Sequence, residues 1–298
     1  MPVRVVESKQ NARLKQLRKA LSAPGRGAEE LAGIEGPKLL EEALRAGLRV
    51  QTIFAAREPE RPLDALTAPA ETEILLLPKK LLESVLATET PQPVAALVER
   101  PQWTWLQILN REQEKSLVVV LAGIQDPGNM GTILRSAEAF GATGIVSLPG
   151  TVSAWNLKAV RASAGSVFRV PVVEAGARAC FERLREAGVR ILAASVRAAQ
   201  PADLVDLSGA VALLIGNEGN GVPEDLVTKA DGEITIPCPG PVESLNAGVA
   251  ASVLLYEASR QRSVRQGTRV PHPGSGAAHR GGDRVGKDSK WRPTEARR

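Results

Sequence analysis

The sequence predicts an α/β protein with two units: a smaller N-terminal α/β domain and a larger C-terminal domain built on a parallel sheet. The chain has 298 residues, which is room for two domains of about 150 residues each. Segments with strand and helix patterns alternate along it, as in a sheet covered by helices on both faces. Two strand segments, Leu117–Leu121 and Val211–Ile215, are continuous apolar runs, typical of parallel strands buried on both faces.

The N-terminal domain is assigned to residues 1–100. Its first helix spans residues 8–21, where Leu14, Leu17 and Leu21 fall on one face at helical spacing. The following patterns predict helices over Lys38–Ala46 and Lys79–Ala87, and strands over Val50–Ala55, Glu73–Leu77 and Val94–Glu99. Residues 101–116, which include Trp103 and Trp105, form the connection to the second domain.

The C-terminal domain is assigned to residues 117–262. Its predicted strands are Leu117–Leu121, Gly144–Leu148, Val167–Val173, Arg190–Ala194, Val211–Ile215 and Glu233–Ile236. Its predicted helices are Asn129–Phe140, Asn156–Ala164, Ala177–Ala187, Pro223–Lys229 and Leu245–Arg262, the last with Leu245, Val249, Val253 and Tyr256 on one stripe. Residues 263–298 are rich in Gly, Pro, Ser and Arg and cannot bury a core, so we expect a disordered basic tail.

Composition excludes several classes of protein. Two histidines, both in the tail, and two cysteines argue against a metal site, a His-based catalytic triad and a disulfide framework. The longest apolar runs are far shorter than the ~20 residues of a membrane span. The first residues have no apolar segment of the kind that a secretion signal needs, so we expect a cytoplasmic protein.

The positive charge lies at the two ends of the chain. The net charge is +5, and both the first helix and the tail carry an excess of Arg and Lys. Basic ends on a near-neutral body suit a polyanionic partner such as nucleic acid, because neutralising phosphates releases counterions. We therefore expect the cations of the first helix to bind RNA; these are Arg13, Lys15, Arg18 and Lys19.

A first candidate motif follows the strand that begins at Leu117. Gly128 and Gly131 allow a tight strand-to-helix turn, and Asn129 is a candidate N-cap. Arg135 lies about one and a half helical turns further on and can reach the same opening. The exposed helix N-terminus favours an anion such as an RNA phosphate.

A second candidate motif is the turn after the strand Val211–Ile215. Gly216, Gly219 and Gly221 surround Asn217 and Glu218, which predicts a loop that another group approaches closely. The turn also lies at the carboxyl end of a strand, where open α/β sheets bind their ligands.

A third candidate motif joins the last strand to the last helix. Three prolines around Gly240 stiffen the loop, Ser244 is a candidate cap, and Asn246 is placed in the first turn of the helix. Small residues in that turn allow another backbone to pack closely. Two nucleotide-binding alternatives fail, since the chain has neither the G-x-G-x-x-G spacing of a dinucleotide fold nor a Gly-Lys-Ser/Thr triplet.

Together the three motifs resemble those of the SpoU/TrmH family, which belongs to the SPOUT class of RNA methyltransferases. The resemblance covers residues 117–262 and rests on three sets in order: Asn129, Gly131-Thr132 and Arg135; Ile215–Gly219; and Ile236-Pro237 with Ser244-Leu245-Asn246. The N-terminal domain more weakly resembles the L30e-like substrate-binding domain of the same family.

The resemblance implies a C-terminal segment threaded through a deep trefoil knot and a homodimer formed through the last helix. It implies S-adenosylmethionine as methyl donor, held by Gly216, Ile236 and Leu245, with Asn217 and Gly219 beside them. The acceptor that it implies is a ribose 2′-hydroxyl of structured RNA, with rRNA favoured over tRNA.

The resemblance assigns the activating role to Arg135, with Asn129, Glu218, Ser244 and Asn246 as the other catalytic candidates. Arginine is a poor proton acceptor, but two roles stay open for Arg135, proton acceptor or fixed cation beside the developing alkoxide. Two other functions remain open: a noncatalytic RNA-binding or ribosome-assembly factor on the same scaffold, and methylation of a base. For the second, the motifs offer no additional general acid or base.

Overall fold

The computed structural model describes residues 2–22, 31–57, 68–86, 88–109 and 115–265. These residues form two sheets, one in each half of the chain. The residues 266–298 of the predicted tail and residues 110–114 of the predicted connection lie outside the described residues.

The N-terminal unit is a mixed five-stranded sheet with helices packed on it. Its elements are β1 (Val3–Val5), α1 (Ala12–Ser22), β2 (Leu31–Glu35), α2 (Pro37–Arg45), β3 (Val50–Ala56), β4 (Glu73–Leu77), α3 (Lys79–Glu83) and β5 (Val94–Glu99). The strand order is β1-β4-β3-β5-β2, with β5 antiparallel to both of its neighbours and the other pairs parallel.

Two helix predictions in this unit were too long. The first helix begins at Ala12, because the side chain of Asn11 accepts hydrogen bonds from the backbone N–H groups of Arg13 and Leu14 and so caps it. The helix α3 ends at Glu83, whereas the prediction extended it to Ala87, which lies outside the described residues.

The C-terminal unit is an all-parallel, six-stranded sheet, which confirms the predicted fold class. Its elements are α4 (Trp105–Leu109), β6 (Leu117–Ala122), α5 (Pro127–Ala139), β7 (Gly144–Ser147), α6 (Leu157–Ser163), β8 (Val172–Glu174), α7 (Ala177–Glu186), β9 (Arg190–Ala194), β10 (Val211–Gly216), α8 (Glu224–Val227), β11 (Gly232–Ile234) and α9 (Ala247–Arg265). The strand order is β11-β9-β10-β6-β7-β8, and each neighbouring pair is parallel.

Alternate residues of the central strands pack on opposite faces of this sheet. One face takes Leu117, Val119 and Leu121 of β6 together with α5, α6 and α9. The other takes Val118 and Val120 with α4, α7 and α8. Helices on both faces explain why β6 and β10 are apolar at every position.

The strand predicted at Val167–Val173 was wrong in its first half. Residues Ser166–Phe168 form a short 3₁₀ turn, and the strand β8 begins only at Val172. The turn forms because the carbonyl of Ser166 accepts hydrogen bonds from the N–H groups of Arg169 and Val170. The side chains of Val167 and Phe168 are both buried, so the apolar pattern did not distinguish this turn from a strand buried on both faces.

The two units contact each other around α6 and the turn that follows it. Leu157 packs against the core of the N-terminal unit. A Cβ added at Gly165 would lie 2.7 Å from the Cβ of Glu42 on α2, so the two backbones approach closely here. The guanidinium of Arg169 bridges Glu42 of the N-terminal unit and Glu138 of α5. Among the described helices, none is long and apolar enough to cross a membrane.

Candidate functional site

The three motifs meet at one edge of the parallel sheet. The strands β6, β10 and β11 are parallel, so their carboxyl ends lie at the same edge. Each motif begins where one of these strands ends: residues 123–135 after β6, residues 216–222 at the end of β10, and residues 235–248 after β11.

The first motif turns the chain from β6 into α5. The N-cap is Asp126, whose Oδ1 accepts a hydrogen bond of 3.0 Å from the N–H of Gly128, so the prediction of Asn129 as the cap was wrong. Pro127 occupies the first helical position, which moves the cap three residues upstream. Asn129 lies inside the first turn of α5 with its side chain buried.

Gly131 brings α5 into close contact with α6. A Cβ added there would lie 2.4 Å from the Cβ of Ala162 and 2.8 Å from the carbonyl oxygen of Ala159. A side chain at this position would therefore push the two helices apart. The close packing of α5 on α6 thus explains why the first motif has a glycine at position 131.

The second motif is a tight turn closed by paired backbone bonds. Asn217 and Gly221 exchange two hydrogen bonds, of 3.0 and 2.9 Å. A Cβ on Gly216 would lie 2.0 Å from the carbonyl carbon of Gly221, so only glycine fits. The side chain of Asn217 also donates to the carbonyl of Gly123 and accepts from the N–H of Gly219, which joins this turn to the first motif.

Glu218 joins the second motif to the first. Its Oε1 accepts a hydrogen bond of 2.6 Å from Nδ2 of Asn129. Burial tends to raise the pKa of this carboxyl group, but hydrogen bonds from Asn129 and from the backbone of Gln125 and Asp126 outweigh it, so the pKa is lowered. Glu218 is therefore a carboxylate that holds the start of α5.

The third motif is a loop with unused backbone hydrogen-bonding groups. Among the residues that the structure describes, none of residues 236–245 takes part in a backbone–backbone hydrogen bond. Ile236 and Leu245 are half-buried at its two ends, and most of the loop between them is exposed. The loop thus offers N–H and C=O groups beside two apolar side chains.

The last helix begins two residues later than predicted. Asn246 caps α9, since its Oδ1 accepts hydrogen bonds from the N–H groups of Gly248 and Val249 at 2.9 and 3.2 Å. Ser244, the predicted cap, lies in the loop with its side chain exposed. The helix reaches Arg265, three residues beyond the predicted boundary.

The helices α5 and α9 pack side by side in a constant register. The hydroxyl groups of Ser136 and Ser252 lie 2.6 Å apart, and one turn further the rings of Phe140 and Tyr256 meet edge to face. The sequence patterns did not predict this serine pair. The only sequence signal for it is that both helices carry small residues four positions apart.

Asn129 is the residue at which the three motifs meet. Its Nδ2 donates to Glu218, and a Cβ added at Gly248 would lie only 3.3 Å from its Oδ1. Gly248 is in the first turn of α9, immediately after the loop of the third motif. One buried amide in the first turn of α5 thus bonds to the turn after β10 and lies beside the first turn of α9.

Arg135 is exposed on α5. Within the described ranges its guanidinium has neither a hydrogen bond nor an ion pair. The described hydrogen bonds of Asn129, Glu218 and Asn246 go to partners other than Arg135. The arrangement therefore leaves a cation free to meet an anionic group.

The predicted RNA-binding cations lie on α1 and differ in their surroundings. Arg13 is partly engaged, since its Nε lies 3.4 Å from Glu73 on β4. Lys15, Arg18 and Lys19 are exposed on the outer face of the helix. In the described part of the chain, no group of three or more His, Cys, Asp and Glu side chains could hold a metal ion.

The outer stripe of α9 is apolar but uncovered. Val249, Val253 and Tyr256 are 46, 39 and 54 per cent exposed. The buried face of the helix is instead built mainly from small residues and two leucines, namely Ala247, Gly248, Ala251, Leu254, Leu255 and Ala258. The predicted stripe therefore faces away from the core.

Comparison with protein families gives two matches that divide the chain as the two sheets do. Residues 116–256 match the SpoU rRNA methylase family. Residues 11–96 match the MRM3-like substrate-binding domain. Together the two matches cover both the site and the basic helix α1.

Similar proteins carry the same architecture over nearly their whole length. A 23S rRNA (guanosine(2553)-2′-O)-methyltransferase of Bacillus subtilis is 33% identical over 251 residues, which is 84% of this chain and 97% of that protein. The SpoU methyltransferase AviRb of Streptomyces viridochromogenes, solved with AdoMet, aligns over 87% of this chain and all of its own, with 29% identity and a TM-score of 0.75. An AdoMet-bound rRNA methyltransferase of Sinorhizobium meliloti has 31% identity and a TM-score of 0.75, over 87% of this chain and 98% of its own.

Proposed function

Since the chain belongs to the SpoU family of RNA methyltransferases, we propose that it transfers a methyl group from S-adenosylmethionine to a ribose 2′-hydroxyl of rRNA. The observation that carries this proposal is the contact of Asn129 with Glu218 and with the start of α9. It gathers the three motifs at one sheet edge, with the free cation of Arg135 on the same helix. The 23S rRNA activity named for the Bacillus subtilis relative favours rRNA over tRNA.

The loop after β11 fits a bound S-adenosylmethionine. Its backbone groups from residue 236 to residue 245 have no backbone partner within the described part of the chain, so they can hydrogen-bond an adenine and a ribose. Ile236 and Leu245 supply apolar contacts at the two ends of the loop. Gly216, Asn217 and Gly219 lie at the end of β10, in a turn that leaves no room for a side chain at Gly216.

Arg135 acts on the acceptor. The cofactor, when bound, supplies an activated methyl group on a positively charged sulfur, so the protein must mainly position the 2′-oxygen and favour loss of its proton. The guanidinium acts as a fixed cation that stabilises the negative charge growing on that oxygen. The proton leaves to an RNA phosphate oxygen or to water, because the Glu218 carboxylate already accepts several hydrogen bonds.

The other polar residues position the reacting groups. Asn129 and Glu218 fix the start of α5, and hence the place of Arg135. Asn246 fixes the start of α9, where the cofactor loop ends. Ser244 is exposed in that loop and is free to bond with the cofactor or the RNA.

The N-terminal unit binds the RNA, and α9 joins two copies of the chain. Lys15, Arg18 and Lys19 present positive charge on α1, as RNA backbone binding needs. The exposed stripe of Val249, Val253 and Tyr256 has the apolar character of a homodimer interface. A trefoil knot and a cytoplasmic location stay predictions of the same proposal.

Methyl transfer can be tested with S-adenosylmethionine that carries a deuterated methyl group. The purified enzyme is incubated with separate pools of unmodified rRNA and tRNA, and nucleosides are read by mass spectrometry. We expect a deuterated 2′-O-methylnucleoside from rRNA. Label on a base would contradict the ribose assignment, and the absence of label together with the absence of cofactor binding would favour a noncatalytic RNA-binding factor.

A further inference from the structure

The short helix α6 lies between the proposed catalytic helix and the RNA-binding unit. On one side, Ala159 and Ala162 contact α5 at Gly131, one turn before Arg135. On the other side, Leu157 packs against the core of the N-terminal unit. The helix α6 thus lies between the two surfaces that we expect the RNA to contact.

Two cations occupy that outer face. Lys158 and Arg161 are exposed, three residues apart, and therefore neighbours on one side of α6. Neither makes an ion pair or a hydrogen bond through its side chain within the described ranges. The buried face of the helix is formed by Ala159, Val160 and Ser163.

The surrounding carboxylates do not account for these charges. Where the two units meet, the carboxylates of Glu42 and Glu138 both form ion pairs with Arg169. Two like charges on one helix face repel each other, so Lys158 and Arg161 do not stabilise the fold as a pair. Binding of an anionic partner explains these two charges better than a contribution to stability does.

We propose that Lys158 and Arg161 bind phosphates of the RNA strand where it passes from the N-terminal unit to Arg135. The inference rests on the proposed methylation of RNA. On α5, Gly131 lies about 6 Å along the helix axis from Arg135, and on α6 its contact residues Ala159 and Ala162 lie within about 6 Å of Lys158. The three cations are therefore exposed on two helices that are in direct contact.

The test measures how RNA binding depends on salt. Unmodified 23S rRNA transcribed in vitro is bound by the wild-type protein and by K158Q, R161Q and the double variant at a series of salt concentrations. Each lost phosphate contact should lower the slope of log affinity against log salt by about 0.7–0.9, and weaken binding roughly five-fold at 0.1 M salt. The double variant should show both effects, with unchanged affinity for S-adenosylmethionine.

R178Q is the matched control. Arg178 lies on α7, on the opposite face of the sheet, and its side chain is 92 per cent exposed. The R178Q substitution removes one positive charge, as K158Q and R161Q each do, and should leave the slope of log affinity against log salt unchanged. Equal slopes for the wild-type protein and the double variant would overturn the inference, as would an equal loss in R178Q. Turnover by the wild-type enzyme is measured separately, so a failure of the proposed function would be seen as absent methylation whatever the slopes.

Discussion

Replacing Asn129 by Asp tests the contact that joins the first two motifs. The Asn129 amide donates to the carboxylate of Glu218 over 2.6 Å, and the substitution puts a second carboxylate in its place. Two unit charges ~4 Å apart repel by about 1 kcal/mol in water and about 4 kcal/mol at an effective dielectric constant of 20. We therefore expect N129D to lower the free energy of unfolding by roughly 1–4 kcal/mol at pH 8.

The pH dependence gives this prediction its sign. In the wild-type protein the lowered pKa of Glu218 adds stability that is present above the ordinary carboxyl pKa and is lost as the pH falls through the folded value. In N129D the two carboxyl groups raise one pKa of the pair, because a shared proton restores the hydrogen bond. The destabilisation should therefore fade as the pH falls toward 5 and grow as it rises.

Urea unfolding at pH 5 and pH 8 measures the effect. N129A serves as the control without added charge, and it should lose about 1.5–3 kcal/mol with little change between the two pH values. E218Q added to N129D restores a donor opposite a carboxylate and should recover part of the stability. If N129D is equally destabilised at both pH values, or if E218Q rescues nothing, the contact does not hold the motifs together.

Three other predictions concern packing, thiol reactivity and the contact between units. Gly131→Ala should cost roughly 1–3 kcal/mol in urea unfolding, because its Cβ would meet α6 at 2.4 Å, whereas Gly209→Ala, with nothing within 4 Å, should change little. Burial raises the pKa of the Cys180 thiol to about 12, so iodoacetamide should label Cys238 alone, and S-adenosylmethionine should slow that labelling; labelling of Cys180 in the native protein would contradict the structure. Arg169→Ala breaks the ion pairs with both units and should raise KM for RNA more than it lowers kcat, while a pure loss of kcat would point to a catalytic effect instead.

Local sequence patterns predicted most elements of the fold because burial determines them. The apolar runs of β6 and β10 are buried on both faces, and their pattern follows from that alone. The strand β1 was missed because all three of its residues are exposed, and it is held by backbone pairing with β4 and by an ion pair between Arg4 and Glu73. The strand β2 was missed as well.

The candidate site was predictable as a set of segments but not as a set of contacts. Asn129 and Glu218 are 89 positions apart, so their hydrogen bond depends on the whole parallel sheet. The caps Asp126 and Asn246 depend on how Pro127 and the loop after β11 direct the backbone, which residue type alone does not decide. The hydrogen bond between Ser136 and Ser252 depends on the register in which α5 and α9 pack, which local sequence patterns do not give.

The role of Arg135 in methyl transfer is tested most directly by measuring cofactor binding and turnover separately in Arg135→Ala. Calorimetry gives the affinity for S-adenosylmethionine, and single-turnover methylation of unmodified rRNA gives the rate of the chemical step. We expect an affinity close to that of the wild-type enzyme, because the cofactor contacts lie in the loop after β11, and a rate lowered by about 100-fold or more, as for loss of a charge-stabilising group. An unchanged rate, or an equal loss of rate and cofactor affinity, would contradict the assignment of Arg135.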